Sequence, residues 1–260
     1  TGIALDLDHS APTVNTKGGQ LRGSGSGTVW FKGAKYGGAN PLLDVDALFA
    51  DDSCIRWSTL NSGGLTYQWS PAAGQTMNLV FTNRACLATG CDGLVIGGAD
   101  GSAASVTFAS VTNHAQLGYR TQVIAQGSGT AEMTVAAGVV PCGGRGLDVA
   151  YVGDAAKALS SVRRSGHLAV TGGTLEIDAD NMYWNDQSKD NGLVVGVALA
   201  AQYTGTEKIA FGEVDLSGGE VKNRCGLMAG GGQGVGTVRQ TGGTFTQGAS
   251  WNSIPAYFAL

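Results

Sequence analysis

The residues of this chain that could do chemistry are carboxylates in pairs, a few indoles in polar surroundings and five cysteines. The pairs are Asp6/Asp8, Asp44/Asp46, Asp51/Asp52 and Asp178/Asp180. Side chains two apart on a β-strand share a face, so an Asp-x-Asp pair presents both carboxylates together, ready to take calcium or to flank a glycosidic bond. The same pattern also suits a solvated outer face. The calcium-binding nonapeptide places an aspartate after Gly-Gly-x-Gly, whereas Gly231–Gly234 is followed by Val235. Asp178 and Asp180 are the candidate calcium ligands, and no other cofactor is expected.

Tyr183, Trp184 and Trp251 are candidate binding residues, because exposed rings on a flat β-face stack on sugars or on a partner protein. Their alternative role is to pad a corner of the fold. Cys86 and Cys91 bracket the turn-like Leu-Ala-Thr-Gly and could close a small disulfide loop, while the odd total of five leaves at least one thiol free. The other reading of Cys54, Cys86, Cys91, Cys142 and Cys225 is as small buried hydrophobes. Zinc is not expected: no Cys-x-x-Cys occurs, and His9, His114 and His167 are scattered. No Gly-x-Ser-x-Gly elbow occurs, since the low-complexity turn Gly23–Gly27 reads Gly-Ser-Gly-Ser-Gly, and the Gly230–Gly236 stretch lacks the Lys-Ser/Thr of a phosphate loop.

The elements that must position these residues are marked by glycine, 43 of 260 residues. With 14% charged residues and five prolines the chain is neither a disordered tail nor a proline-rich linker, and it should fold. The glycines follow no triplet, which excludes collagen, and each would cost a helix interior about 1 kcal/mol, which disfavours a helical bundle. A net charge of −4 supplies no basic stripe for nucleic acid. The longest apolar run, Leu193 to Ala201, is far short of the roughly 20 residues of a membrane span. Because the sequence opens at Thr1, without an initiator methionine or signal-like segment, it is read as an excised part of something larger.

Three segments align without gaps: GHLAVTGGTL from Gly166, GEVDLSGGEV from Gly212 and GTVRQTGGTF from Gly236. Their consensus is G-x-h-x-h-[ST]-G-G-[TE]-h, with h apolar. The alternation is that of a strand with one buried face, and Ser/Thr-Gly-Gly is a corner in which adjacent glycines can take positive φ. The starts are 46 and 24 residues apart, read as two turns and one turn of a coil of roughly 23. A second marker, Gly-Leu at Gly146, Gly192 and Gly226, precedes the copies by 20, 20 and 10 residues, so insertions are expected at one connection. Gly27–Gly33 keeps the opening, Gly93–Gly98 echoes the marker, and Gly129–Val135 reads as a degenerate copy aligned on its glycine.

The expected fold is all-β: one right-handed parallel β-helix (β-solenoid) of about ten rungs over residues 1–260, with 1–20 as lead-in, 21–140 as degenerate rungs and 141–260 as clear repeats. Two short helices are expected to decorate it. Asn40-Pro41 followed by LLDVDALFA has an N-cap and a first-turn proline, and Asp154 followed by AAKALSSVRR ends in arginines that suit a helix C-terminus.

The stretch GTVWFKGAKYGG from Gly27 and the three T/S-G-G copies resemble the strand repeats of autotransporter passenger domains and related bacterial surface proteins. That resemblance covers about half the chain and implies a right-handed β-helix displayed outside the cell or at its surface, with a structural or adhesive role. Cell-surface glycans or further copies of itself in a homo-oligomer or filament would be its partners. The uncapped apolar tail Ile254–Leu260 is the place where copies would meet. Nothing in the sequence resembles a membrane-anchoring barrel.

The alternatives are a polysaccharide-degrading enzyme of lyase, glycosidase or tailspike type, and a plain glycan-binding module. Residues 50–55, ADDSCI, resemble the paired-aspartate motif of β-helical polygalacturonases, with Asp51 and Asp52 as candidate catalytic residues, although that family's Gly-His-Gly and Asn-Thr-Asp are missing. Polysaccharide lyases set a basic residue beside calcium carboxylates, which Arg163 or Arg164 could supply to Asp178 and Asp180 across a rung.

Overall fold

The computed structural model describes residues 5–8, 13–14, 20–23, 28–33, 42–43, 46–49, 54–59, 66–71, 73–82, 86–90, 93–97, 100–109, 122–142, 146–152, 163–177, 192–198, 207–224, 226–248 and 257–258, with side chains described for most of these from Trp69 onward. All strand pairs are parallel, as expected when each strand must return to the same wall one coil later. The result is an all-β, three-walled coil.

An eight-stranded wall stacks Gln20–Gly23, Asp46–Phe49, Thr76–Phe81, Ser102–Phe108, Gly129–Val135, Arg164–Val170, Ala210–Leu216 and Gly234–Gln240. A nine-stranded wall stacks Thr13–Val14, Leu42–Leu43, Thr66–Trp69, Gly93–Ile96, Gln122–Ile124, Gly146–Val152, Gly192–Ala198, Gly226–Ala229 and Tyr257–Phe258. The third wall comes in two four-stranded blocks. Leu5–Asp8, Thr28–Gly33, Cys54–Thr59 and Cys86–Gly90 form the first, and Val139–Cys142, Thr174–Ile177, Glu220–Asn223 and Thr244–Gln247 the second. Each strand of these blocks precedes one of the nine-stranded wall, which except after Thr244–Gln247 precedes one of the eight-stranded wall, so the chain cycles through the walls in a fixed order.

The core sits between the walls. On the eight-stranded wall Leu79, Val106, Met133, Leu168 and Val214 stack in one buried column, and Phe81, Phe108, Val135, Val170 and Leu216 in the next. Alternate residues face outward, the period-two pattern that the consensus carries. The aromatic end of the core is Trp69 tilted against Phe81 at 5.7 Å between ring centroids, with Phe81 stacked on Phe108 at 5.3 Å.

The third position of each strand is small for a packing reason. Ala131, Gly166, Gly212 and Gly236 occupy it in register, and a Cβ at Gly212 or Gly236 would collide with backbone of the nine-stranded wall. The consensus glycine is thus a point of close approach between walls. At the Ser/Thr-Gly-Gly corners the two glycines differ. The second takes positive φ at Gly219 and Gly243, 68° and 66°, while a Cβ on the first, Gly218 or Gly242, would strike a carbonyl of the preceding coil.

Several expectations are corrected. Gly166 and Gly212 pair directly, so the 46-residue interval is one long coil, and successive coils of the eight-stranded wall measure 27, 27, 35, 46 and 24 residues. The extra length enters at two connections, around 153–162 and 199–206 and again around 178–191. Gly129 pairs with Arg164 and Ala131 with Gly166, so the degenerate copy is shifted by two residues, a shift that preserves the buried face. Gly27–Gly33 contributes its strand to the third wall, away from the other copies.

The helix expected after Asn40 is absent: Leu42–Leu43 and Asp46–Phe49 are strands, paired to Gln68–Trp69 and to Leu79–Phe81 among others. Its capping residues satisfy a local preference, but pairing along a whole wall outweighs one helical turn. Of the second expected helix, 154–162 lie outside the described residues, and Arg164 opens a strand. Leu5–Asp8 and Thr13–Val14, in the stretch read as a lead-in, already belong to the ladders. Among the described residues there is no helix long and apolar enough to cross a membrane.

Candidate functional site

The outer face of the eight-stranded wall carries the polar side chains that stacking brings together. Cross-strand register sets Asn78, Ser105, Glu132, His167, Glu213 and Thr237 in one outward column, each about 4.8 Å from the next. The column beside it holds Thr76, Ala103, Thr130 and Ser165. Because these side chains are short, they leave an open trough of about 540 Å³ across four coils, from Thr76 and Asn78 to Ser165 and His167.

At the C-terminal end of the trough the side chains become charged. His167 Nε2 lies 3.2 Å from Asp215 Oδ2, and its Nδ1 lies 3.7 Å from Glu132 Oε1. Thr134 Oγ1 donates to Glu132 at 3.2 Å. Arg239 on the last strand reaches both Glu213 and Asp215 at 3.1 Å. A second ladder on the third wall sets Lys222 3.2 Å from Glu176 and 3.4 Å from Glu220; these hydrogen bonds, Glu176 first, hold the ammonium pKa above its ordinary value.

A polar cluster around buried Arg164 stands at the entry to the eight-stranded wall. Arg164 is 2% exposed and donates through Nη1 to the Gln126 carbonyl at 2.7 Å, and burial lowers its pKa. Ser128 N donates to Asp100 Oδ1 at 2.8 Å, and that backbone bond, followed by the Ser128 side chain and Arg164, holds the Asp100 carboxyl below its usual range. Arg163 lies over the Phe211 ring at 3.8 Å. Both arginines are thereby engaged within the fold.

Asp51, Asp52, Asp178, Asp180, Tyr183, Trp184 and Trp251 lie outside the described residues, as does Cys91. Cys86 is described by its backbone alone, and its register partner on the neighbouring coil is Cys54. Cys142 is free and fully buried among core residues, and burial pushes its thiol up to about 12.

The charged column was missed in the sequence. His167 and Asp215 are 48 residues apart, and Asp215 and Arg239 are 24 apart. The signal that could have found them is the gapless repeat alignment itself, which sets His167, Glu213 and Thr237 at one position and Asp215 and Arg239 at another.

Fold and site together define an all-β protein of parallel walls, consistent with a β-solenoid, with one polar, partly charged outer face. No protein-family model, curated protein or solved structure matches the chain.

Proposed function

We propose that this chain is an extracellular or cell-surface β-solenoid with a structural and adhesive role, whose eight-stranded wall contacts glycans. The observation that carries the reading is the trough: hydroxyl, amide and carboxylate side chains repeat at coil spacing along an open groove, a form that suits an extended chain of hydroxyl-rich units. Its lining holds a single carboxylate, Glu132, which favours neutral or amino sugars. An enzyme of the glycosidase type needs two facing carboxylates, so binding is preferred to cleavage.

In this reading the coil is right-handed, following the strong preference of parallel crossovers, and copies associate end to end. Val238 and Phe245 of the last described coil are only partly buried, whereas their register partners Val214 and Val221 are fully buried, so a further coil laid on that end would complete the columns.

The test is an array of neutral hexose and N-acetylhexosamine oligosaccharides probed with the chain and with Ser105→Phe, which fills the trough from an outward position. Binding that falls about tenfold or more in the variant supports the reading. Equal binding by both proteins, or none by either, removes it.

A further inference from the structure

We propose that His167, Glu213 and Asp215 form a site for one first-row divalent transition metal, zinc above all, on the outer face of the eight-stranded wall. The site shares His167 with the trough, but its ligand geometry does not depend on what the trough binds.

One ligand atom from each of the three residues can be chosen so that all lie within 4.8 Å of one another, and all three side chains are partly buried. His167 Nε2 and Asp215 Oδ2 are 3.2 Å apart, near the roughly 3.4 Å that separates two donors about 2.1 Å from a shared tetrahedral ion. The backbone fixes the set: His167 is the register partner of Glu213, and Glu213 and Asp215 are outward neighbours on one strand. Ligands held by paired strands change place little when an ion arrives.

A further feature separates this group from an ordinary surface ion pair. A ligating imidazole usually turns its second nitrogen toward a carboxylate, which fixes the tautomer and the ring plane. Glu132 stands on that side of His167, 3.7 Å from Nδ1, and is itself held by Thr134. The order Glu132, His167, ion, carboxylates would thus run across three coils. An imidazole beside two carboxylates favours zinc or its neighbours over calcium, which prefers oxygen alone.

Arg239 supplies the positive charge in the structure as it stands, bonding Glu213 and Asp215. Its side chain is 57% exposed, so giving up these bonds to an entering dication costs little. The ion would keep a coordination position open to solvent at the end of the trough.

The experiment is calorimetric titration of Zn²⁺ into the whole chain. One ion is expected to bind in a His167-dependent manner. His167→Ala and the double variant Glu213→Gln/Asp215→Asn should each weaken that binding by about 10- to 100-fold, with Glu132→Gln nearer the low end. Arg239→Ala, by removing the competing cation, should tighten it. All these positions face outward, and circular dichroism checks that each variant folds. Zinc-edge X-ray absorption should show one imidazole nitrogen among oxygens. Absence of Zn²⁺ uptake by the wild-type chain, uptake unchanged in His167→Ala, or a first shell without imidazole would overturn the assignment.

Discussion

Ala150 and Gly196 stand opposite each other on neighbouring coils with the same left-handed backbone, φ 56° and 57°, yet only one of them has room for a methyl group. Gly97, Ala125 and Gly230 continue this column, with φ of 72°, 62° and 75°, so the nine-stranded wall makes the same bend in five successive coils. Ala150 shows that the bend tolerates a Cβ at the usual modest cost. At Gly196 the obstacle is packing: a Cβ there would run into the Val235 carbonyl and the Gly212 backbone. Gly196→Ala should therefore destabilise by about 3 kcal/mol, while Ala150→Gly changes stability by about 1 kcal/mol or less. Urea unfolding of the two variants measures both, and equal effects would show that φ rather than wall spacing decides.

The buried and outward alternation of the repeats was legible because it is local: Gly212 to Leu216 reads in sequence as it packs, with Gly212, Val214 and Leu216 inward and Glu213 and Asp215 outward. Coil length was not. Counting residues cannot tell two short coils from one coil with excursions, and only the pairing of Gly166 with Gly212 decides it. The stretch Leu42–Phe49 was misread for a related reason. Its composition satisfies a helix on local terms, and the partners that make it two strands, Trp69 and Phe81 among them, are distant in sequence. The charged column has the same origin, since His167 and Asp215 become neighbours only after the coil between them closes.

Cys142 gives the fold a predictable alkaline limit. Its thiol is fully buried, and burial raises it from an ordinary 9.0 to about 12. The unfolded chain thus ionises first, so the stability that neutral Cys142 contributes is intact below pH 9 and is lost as pH rises through about 12. Within that window the loss approaches about 1.4 kcal/mol per pH unit, and Cys142→Ala should remove this part of the slope. Unfolding at stepped pH compares the two proteins. Peptide-resolved alkylation at pH near 8 should leave Cys142 unmodified until the protein unfolds.

Lys222, although it bridges Glu176 and Glu220, should matter little. All three side chains are more than a third exposed, and ion pairs of that kind are screened by salt. Its raised pKa places any contribution below the ordinary lysine value, fading as pH climbs past the folded one. Lys222→Ala should lower Tm by about 2 °C or less at low ionic strength, and by nothing measurable near 1 M salt. A larger, salt-independent loss would mean that the lysine stem, rather than its charge, holds the coils together.

Asn223 is the opposite case. It points inward in the column of Cys142 and Ile177, is fully buried, and donates from Nδ2 to the Gly226 carbonyl and to Gln247 Oε1, each at 3.0 Å. One bond closes the short connection into the next strand and the other reaches the following coil. Asn223→Ile, which repeats the residue of the preceding coil, gains apolar burial but takes the donor from the buried Gly226 carbonyl, while the exposed Gln247 amide turns to water, and should cost about 1–3 kcal/mol. Asn223→Asp keeps the shape and turns a donor into a carboxylate facing two oxygens. Its folded-state pKa must rise, so the aspartate variant should be weakest at neutral pH and regain stability as pH falls toward about 4, where a protonated carboxyl can donate again. Thermal unfolding between those pH values reads the difference from wild type, and a constant difference would show that the amide's hydrogen bonds are not what the position requires.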